Sequence, residues 1–326
     1  MAANSKKERK KRELREKRLQ RKVKKLAVIQ NKLKSHSKVI NLPSVSLGDL
    51  RSRSSYKQKE LSEGLRSKVA GFKRMSLKLN EPLFLYGSDG GLLAAGISSN
   101  DMESVRKLDE SIEAMKKGKS KCQSKGKNRG KYEKWIFTVW SPYRKEPIYS
   151  RDYRLRDEES KRFIEANKSI FEKLTNLLGQ VAPGVFKELQ RFPLDKGLSR
   201  LCHAWCGCVV NRLGVDAKPT EIHRDVKEPK YGYSGLICTG EFTGGGLILY
   251  DLEIILELKP GDMLVFADSV IHHSNEQVQG RRNSVVCFTQ KNMYDYWHRT
   301  FGMRIGKVSW KSKRKQCAKA SNIKKR

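Results

Sequence analysis

The chain has 326 residues and a formal net charge of +34, with 69 Lys and Arg against 35 Asp and Glu. It contains no run of 18 apolar residues and no apolar core of a signal peptide near its N-terminus, so we expect neither a membrane-spanning helix nor a membrane partner. The seven cysteines are an odd number in a chain without a secretory signal, which favours reduced thiols in an intracellular protein.

The positive charge is concentrated at the two ends of the chain. Residues 1–40 carry a net charge of +13 and residues 304–326 a net charge of +10, which leaves +11 for residues 41–303. Charge blocks of this kind are typical of solvated arms that bind polyanions. We therefore predict basic tails that bind nucleic acid, DNA in the first place, and a nuclear location. The sequence does not indicate an oligomeric state.

The sequence predicts a tail, one domain and a basic insert within that domain. Residues 1–78 are predicted to be a basic, partly helical and disordered tail, with a helix over 6–34 followed by a linker over 35–78. Apolar patterning begins in the segment EPLFLYG at residue 81, so we place one domain over residues 79–303. Residues 116–131 form a basic insert without aromatic residues, which suits contacts with phosphate.

Helices are predicted before residue 201 and strands after it. The segment KWIFTVWSPY is typical of a strand, residues 157–178 have the periodicity of an amphipathic helix, and Pro183 suits the start of a second helix. Several short β-like runs then follow, separated by turn signals such as Gly244-Gly245-Gly246. This order indicates an α+β protein whose core, over residues 201–290, is a sandwich or a barrel.

A candidate metal site begins with the segment HRD. His223 and Asp225 are two residues apart, so on an extended backbone their side chains point the same way. Two imidazoles and one carboxylate are the ligand set of a non-haem iron(II) site that keeps positions open. The chain has six histidines, and the adjacent His272 and His273 follow the predicted strand DMLVFAD.

A candidate carboxylate-binding site lies downstream, in the segment GRRNS. Arg282 and Ser284 share one face of a β-like run. A guanidinium beside a hydroxyl suits the capture of a carboxylate.

From Leu201 to Thr289 this ordered set resembles the iron(II)- and 2-oxoglutarate-dependent dioxygenases. The matching elements are His223-Arg-Asp225, the segment KPGDMLVF, His272 and the segment GRRNS, and the whole stretch is most similar to the TET/JBP-like branch found in fungi and protists. The resemblance implies a double-stranded β-helix, a jelly-roll core, that binds Fe(II) and 2-oxoglutarate.

The resemblance also assigns roles to the matching residues. His223, Asp225 and His272 would be the catalytic metal ligands, Arg282 and Ser284 would bind 2-oxoglutarate, and Asn211 would contact the cofactor or substrate. Successive strand residues point to opposite faces, so only one of the two adjacent histidines can reach the metal. The usual spacing within the superfamily favours His272, and a bulge that re-aims His273 is the alternative.

Three functions are compatible with the sequence. The first, which the TET/JBP-like character and the basic tails favour, is oxidation of a methyl group on a nucleic-acid base, such as that of 5-methylcytosine, with release of succinate and CO2. The second is a 2-oxoglutarate-dependent protein hydroxylase. The third is a non-catalytic nucleic-acid-binding protein with a jelly-roll core.

Overall fold

The structure is a computed structural model that describes residues 37–53, 68–116, 132–144, 146–195, 197–213 and 219–302, with short stretches at 13–14, 17–18, 20–21 and 123–124. The predicted C-terminal basic tail, most of the predicted N-terminal helix and most of the basic insert lie outside the described residues. The six described residues of the predicted N-terminal helix are helical.

Among the described residues, ten strands form a large sheet. In chain order these strands are β1 (Lys38–Leu42), β3 (Leu83–Gly87), β4 (Leu92–Ser98), β5 (Gln123–Ser124), β6 (Tyr132–Trp140), β7 (Ile148–Tyr149), β8 (Gly207–Leu213), β9 (Ser234–Gly244), β12 (Asp262–Phe266) and β14 (Val278–Phe288). Their spatial order is β1-β3-β4-β12-β9-β14-β8-β6-β5, with β7 paired to β6. All neighbours are antiparallel except β1 and β3.

A smaller sheet faces the large one. Its four strands are β2 (Lys73–Ser76), β10 (Leu247–Leu249), β11 (Ile254–Glu257) and β13 (His273–Asn275). Their order is β13-β10-β11-β2. A cavity between the two sheets is lined by residues of both, including Leu247 and Asn275 from the small sheet and Val286 from the large one. The predicted α+β class with a jelly-roll core is confirmed.

The helices lie mainly outside the large sheet. They are α1 (Leu47–Ser52), α2 (Met102–Lys116), α3 (Arg151–Leu155), α4 (Asp157–Ala166), α5 (Lys168–Val181), α6 (Pro183–Arg191) and α7 (Lys291–Phe301). Helix α5 buries Ile170, Phe171, Leu174 and Leu178 at three- and four-residue steps, the pattern of a helix with one apolar face. Among the helices that the structure describes, none is long and apolar enough to cross a membrane.

Two predictions about the helical region had different outcomes. Pro183 opens α6, as expected. The single helix predicted over 157–178 is two helices, because the backbone breaks at Asn167. The side-chain amide of Asn167 donates to Ser111 Oγ at 2.9 Å and to the carbonyl of Phe163 at 2.7 Å, where it competes with the Asn167 backbone amide at 3.3 Å.

The linker predicted over residues 35–78 is wrong for much of its length. Strand β1 pairs with β3, and β2 extends the small sheet beside β11. Leu47 and Leu50 of α1 are buried in the main core. The Ser-, Lys- and Arg-rich composition concealed these elements because their apolar residues are few and separated. The domain therefore begins before residue 79.

Helix α2 is attached to the outer face of the large sheet by a partly buried cluster of charges. Asp109 accepts two hydrogen bonds from Arg281, at 2.8 and 2.9 Å, and further bonds from Asn283 and Thr239. Burial raises the pKa of Asp109, but these hydrogen bonds outweigh it and hold the pKa below its usual range. Glu113 adds contacts to Arg281 and Arg212.

We expect Asp109→Ala to lower the free energy of unfolding by about 2–3 kcal/mol, since Arg281 loses its bidentate partner in a partly buried setting. Chemical denaturation followed by circular dichroism measures this. The contribution is complete above about pH 4 and is lost as the pH falls through the lowered pKa of the folded state. The control is Glu110→Ala, which removes an exposed pair with Arg106 from the same helix and should leave the midpoint within error. Equal effects of the two substitutions would contradict the prediction.

Candidate metal centre

An isolated antiparallel bridge brings two histidines together. The His223 amide donates to the carbonyl of His273 at 3.0 Å, and the His273 amide donates to the carbonyl of His223 at 2.8 Å. Residues paired in this way place their side chains on the same face. The two imidazole rings accordingly lie with their centroids 4.4 Å apart.

Asp225 completes a group of three potential ligands. Its carboxylate lies 4.0 Å from His223 Nε2 and 3.8 Å from His273 Nε2. One ligand atom from each of the three residues lies within 4.8 Å of the others. Within the described ranges, this is the group of His, Cys, Asp and Glu side chains that could hold a metal ion. The Asp225 amide donates to the carbonyl of Asp268, which fixes the start of the loop that leads to β9.

The hydrogen bonds of both histidines leave Nε2 as the metal-binding atom. His223 Nδ1 lies 2.7 Å from the carbonyl oxygen of Glu221, and His273 Nδ1 lies 2.9 Å from that of Ile271. A carbonyl oxygen only accepts, so each Nδ1 carries a proton, and the neutral form of each ring has its lone pair on Nε2. Backbone carbonyls of this kind commonly orient histidine ligands of metals.

The expected ligand His272 does not join this group, and the alternative His273 takes its place. His272 points to the other face of the strand, where its amide and its Nδ1 lie 2.6 and 3.0 Å from Asp251 Oδ2. Burial raises the pKa of Asp251, but the bonds from His272 outweigh it and lower that pKa overall. The preference for His272 is therefore corrected. The two adjacent histidines point to opposite faces, as expected, and the pairing of His273 with His223 places His273, without a bulge, on the face of the metal site.

The three ligand candidates open into the cavity between the sheets, whose volume is about 470 Å³. Its wall includes Arg282, Ser284 and Asn211, so the structure brings these predicted site residues into one cavity with His223, Asp225 and His273. His272 is not part of the wall. The cavity reaches the surface beside Val226 and Lys227, which are both exposed.

Arg282 presents unsatisfied hydrogen-bond donors inside this cavity. Its side chain is almost fully buried, and its Nη2 lies 3.0 Å from Cys238 Sγ. Its Nε and Nη1 have no hydrogen-bonding partner among the described residues. A buried guanidinium with free donors is costly unless an anion pairs with it. The cavity therefore has a place for a carboxylate.

A polar row continues from Arg282 across the wall. Ser284 on β14 pairs with Asn211 on β8, and Asn211 pairs with Lys134 on β6, so the three side chains share one face. Asn211 Oδ1 is buried without a partner in the described part of the chain. The sequence prediction missed Lys134, because strand β6 lies outside the matching motifs. Lys134 and Ile136 are two residues apart on a strand and both line the cavity, so strand alternation was the signal that could have placed Lys134 on the inner face.

Two acidic side chains lie close to Asp225. Burial raises the pKa of Glu228 well above its usual range, and repulsion from Asp268 and Asp225 adds to this effect. The pKa of Asp268 is raised by burial and by repulsion from Asp225. The Ser234 hydroxyl donates to Glu228 at 3.0 Å. Raised pKa values favour the neutral carboxyl form of Glu228 and Asp268.

The donor set fits a ferrous ion and a dicarboxylate. Two imidazoles and one carboxylate occupy one side of a common point and face open space, as a facial triad requires. The unpartnered Arg282 donors supply an anchor for a second charged group in the same cavity. The residues present therefore suit both Fe(II) and 2-oxoglutarate.

Comparison with known proteins gave matches in both sequence and structure, although no family model matches the chain. The chain is 29% identical over 133 residues to the bifunctional helicase and thymine dioxygenase JBP2 of Leishmania braziliensis, and 27% identical over 136 residues to that of Leishmania infantum. These matches cover 39% and 40% of the chain but 12% of each relative.

The solved structure of NgTET1 in complex with 5mC DNA matches with a TM-score of 0.53 at 17% identity. The match covers 76% of this chain and 92% of that one, so the fold is shared over almost all of NgTET1. In sequence the chain is thus similar to the JBP2 thymine dioxygenases, and in fold it is similar to NgTET1, in agreement with the predicted resemblance to TET/JBP-like iron(II)- and 2-oxoglutarate-dependent dioxygenases.

Proposed function

We propose that the chain is an Fe(II)- and 2-oxoglutarate-dependent dioxygenase that oxidises a methyl group on a nucleic-acid base and releases succinate and CO2. The observation that carries this proposal is the buried Arg282 guanidinium, whose Nε and Nη1 have no hydrogen-bonding partner among the described residues, in the same cavity as the cluster of His223, Asp225 and His273. A cation-binding group and an anion-binding group that face one enclosed space match the two ends of a chelating 2-oxo dicarboxylate.

Different residues of the cavity would bind the metal and the co-substrate. His223, Asp225 and His273 would hold Fe(II), and Arg282 with Ser284 would bind the distal carboxylate of 2-oxoglutarate. When bound, the iron and its co-substrate supply the oxidising power for a C–H bond. Asn211 and Lys134 lie in the polar row beside Ser284, where their side chains can orient the co-substrate or the base. The apolar wall residues Val209, Leu236 and Val286 limit water around the reacting atoms.

A nucleic-acid substrate is supported by the relatives and by charge. JBP2 is named as a thymine dioxygenase and NgTET1 was solved in complex with 5mC DNA, and both thymine and 5-methylcytosine are pyrimidine bases that carry a methyl group. The target base would have to leave the stack to reach a cavity between two sheets. The net charge of +34 favours phosphate contacts, and a nuclear location follows if the substrate is DNA.

Matched substitutions to Asn test which adjacent histidine binds metal. Asn keeps a donor close to the position of Nδ1 and removes Nε2. We expect His273→Asn to weaken Co(II) binding by at least about 100-fold, because a ligand is lost. We expect His272→Asn to leave binding nearly unchanged, since that side chain faces Asp251. Titration of the Co(II) absorption bands measures both, and a larger loss for His272→Asn would return the assignment to His272.

Replacement of Arg282 tests the carboxylate anchor. We expect Arg282→Met to raise the KM for 2-oxoglutarate by at least about tenfold, because a charge-assisted hydrogen bond is lost, and Ser284→Ala to have a smaller effect. Succinate formation at varied 2-oxoglutarate concentration measures both. Co(II) affinity should be unchanged in Arg282→Met, which serves as the internal control. A KM that does not change would contradict the assigned role.

Mass spectrometry of DNA tests the substrate. With Fe(II) and 2-oxoglutarate, the wild-type protein should oxidise 5-methylcytosine or the methyl group of thymine in DNA, and Asp225→Ala should leave both bases intact. Methylated RNA and a panel of peptides are included as competing substrates. Hydroxylation of a peptide with no change in any nucleic acid would replace the proposed substrate with a protein side chain.

A further inference from the structure

The metal ligands lie on two separate segments of the chain. His273 begins strand β13, whereas His223 and Asp225 lie on the irregular stretch before β9. The backbone bridge between His223 and His273 ties the two imidazoles together, but Asp225 lies beyond that bridge at the start of a loop. The Asp225 side chain is 40% exposed, against 8% for His273. The Asp225 amide is bonded to the carbonyl of Asp268, and the position of its side chain also depends on how the loop after it is held.

Residues 47–53, here called the clasp, hold that loop. Arg51 Nε donates to the carbonyl of Lys230 at 2.8 Å, and Lys230 Nζ donates back to the carbonyls of Arg51 and Arg53 at 2.8 and 2.9 Å. The Arg51 guanidinium also lies 4.7 Å from the centre of the Tyr231 ring. The clasp thus fixes the loop five and six residues beyond Asp225 by both polar and aromatic contacts.

The same clasp contacts the support of the second ligand segment. Arg53 forms an ion pair with Asp251, which is 7% exposed. Asp251 in turn accepts hydrogen bonds from the amide and ring of His272, the residue before His273. On the other side of His273, Ser274 Oγ lies 2.9 Å from the hydroxyl of Tyr250. Both neighbours of His273 are therefore held by the short helical turn Tyr250–Leu252, which Arg53 contacts at Asp251.

The clasp is itself anchored in the core. Leu47 and Leu50 are buried, with 3% and 1% exposure. Ser46 caps helix α1 by accepting a hydrogen bond from the Asp49 amide. Asp89 accepts bonds from the amides of Leu47 and Gly48, at 3.3 and 2.9 Å. These contacts fix the clasp to the folded domain.

We propose that the clasp sets the spacing between the Asp225 loop and the His273 strand, with Arg53 and Lys230 as positioning residues for the metal centre. The inference rests on the proposed function, because it takes His223, Asp225 and His273 as the ligands. Neither Arg53 nor Lys230 lines the cavity, so each acts through other residues. In metal sites, partners behind the ligands typically change metal affinity by 10–100-fold when they are replaced.

Co(II) binding to the full chain provides the test. We expect the double variant Arg53→Met with Lys230→Met to bind Co(II) about tenfold more weakly than wild type. Its Co(II) absorption bands should also change in intensity, since a misplaced carboxylate alters the geometry around the ion. The double variant Arg53→Lys with Lys230→Arg keeps a cation at each position and should restore both properties.

The control is Arg106→Met, which removes exposed ion pairs on α2, away from the ligand segments. It should change neither affinity nor spectrum. All variants are compared below their thermal midpoints, so that a general loss of stability does not enter. Unchanged affinity and spectrum in the Met double variant would overturn the role of the clasp alone. A wild-type protein that binds no Co(II) would overturn the proposed metal centre and the clasp with it.

Discussion

The backbone bridge between His223 and His273 is the interaction on which the rest of the site depends. Two hydrogen bonds, of 3.0 and 2.8 Å, join segments that lie 50 residues apart in the chain. Because paired residues share a face, the bridge brings two imidazoles to one side of the cavity and turns His272 to the other. Carbonyls of Glu221 and Ile271 then fix the ring orientation that leaves each Nε2 facing Asp225.

Strand β14 shows how alternation lets one segment serve both the fold and the site. Arg281 and Asn283 point outward and bind Asp109 of α2, which attaches the helix to the sheet. Arg282 and Ser284 point inward and line the cavity. A shift of one residue in register would exchange these two sets and lose both the helix contact and the proposed carboxylate anchor.

The segment before residue 79 contributes both to the sheets and to the support of the proposed metal centre. Strands β1 and β2 extend the two sheets, and the clasp contacts the loop after Asp225 directly and the residue before His273 through Asp251. A Lys- and Arg-rich region can therefore have a structural role through its specific hydrogen bonds, in addition to any long-range attraction to phosphate. Arg51 contacts a carbonyl and the Tyr231 ring, Arg53 pairs with the buried carboxylate of Asp251, and Lys230 donates to two carbonyls.

The sequence by itself determined the α+β class, the strand-rich core after residue 201, and the candidate residues His223, Asp225, Arg282, Ser284 and Asn211. The inferences on fold class, His223, Asp225, Arg282 and Ser284 rest on local periodicity and on spacing within single segments, which follow from side-chain alternation, whereas Asn211 was implied by the family resemblance. The structure places these residues around one cavity, as the superfamily resemblance implied.

Only the tertiary structure decided between His272 and His273, because the facing residue in the bridge comes from a distant segment. It also decided that β1, β2 and α1 belong to the domain, since their few apolar residues are recognisable only by their partners. The clasp could not be predicted from the sequence for the same physical reason, and strand alternation could have shown the inward face of Lys134 but not its place beside Asn211. Their roles arise from contacts between segments far apart in the chain, and local composition does not encode those contacts.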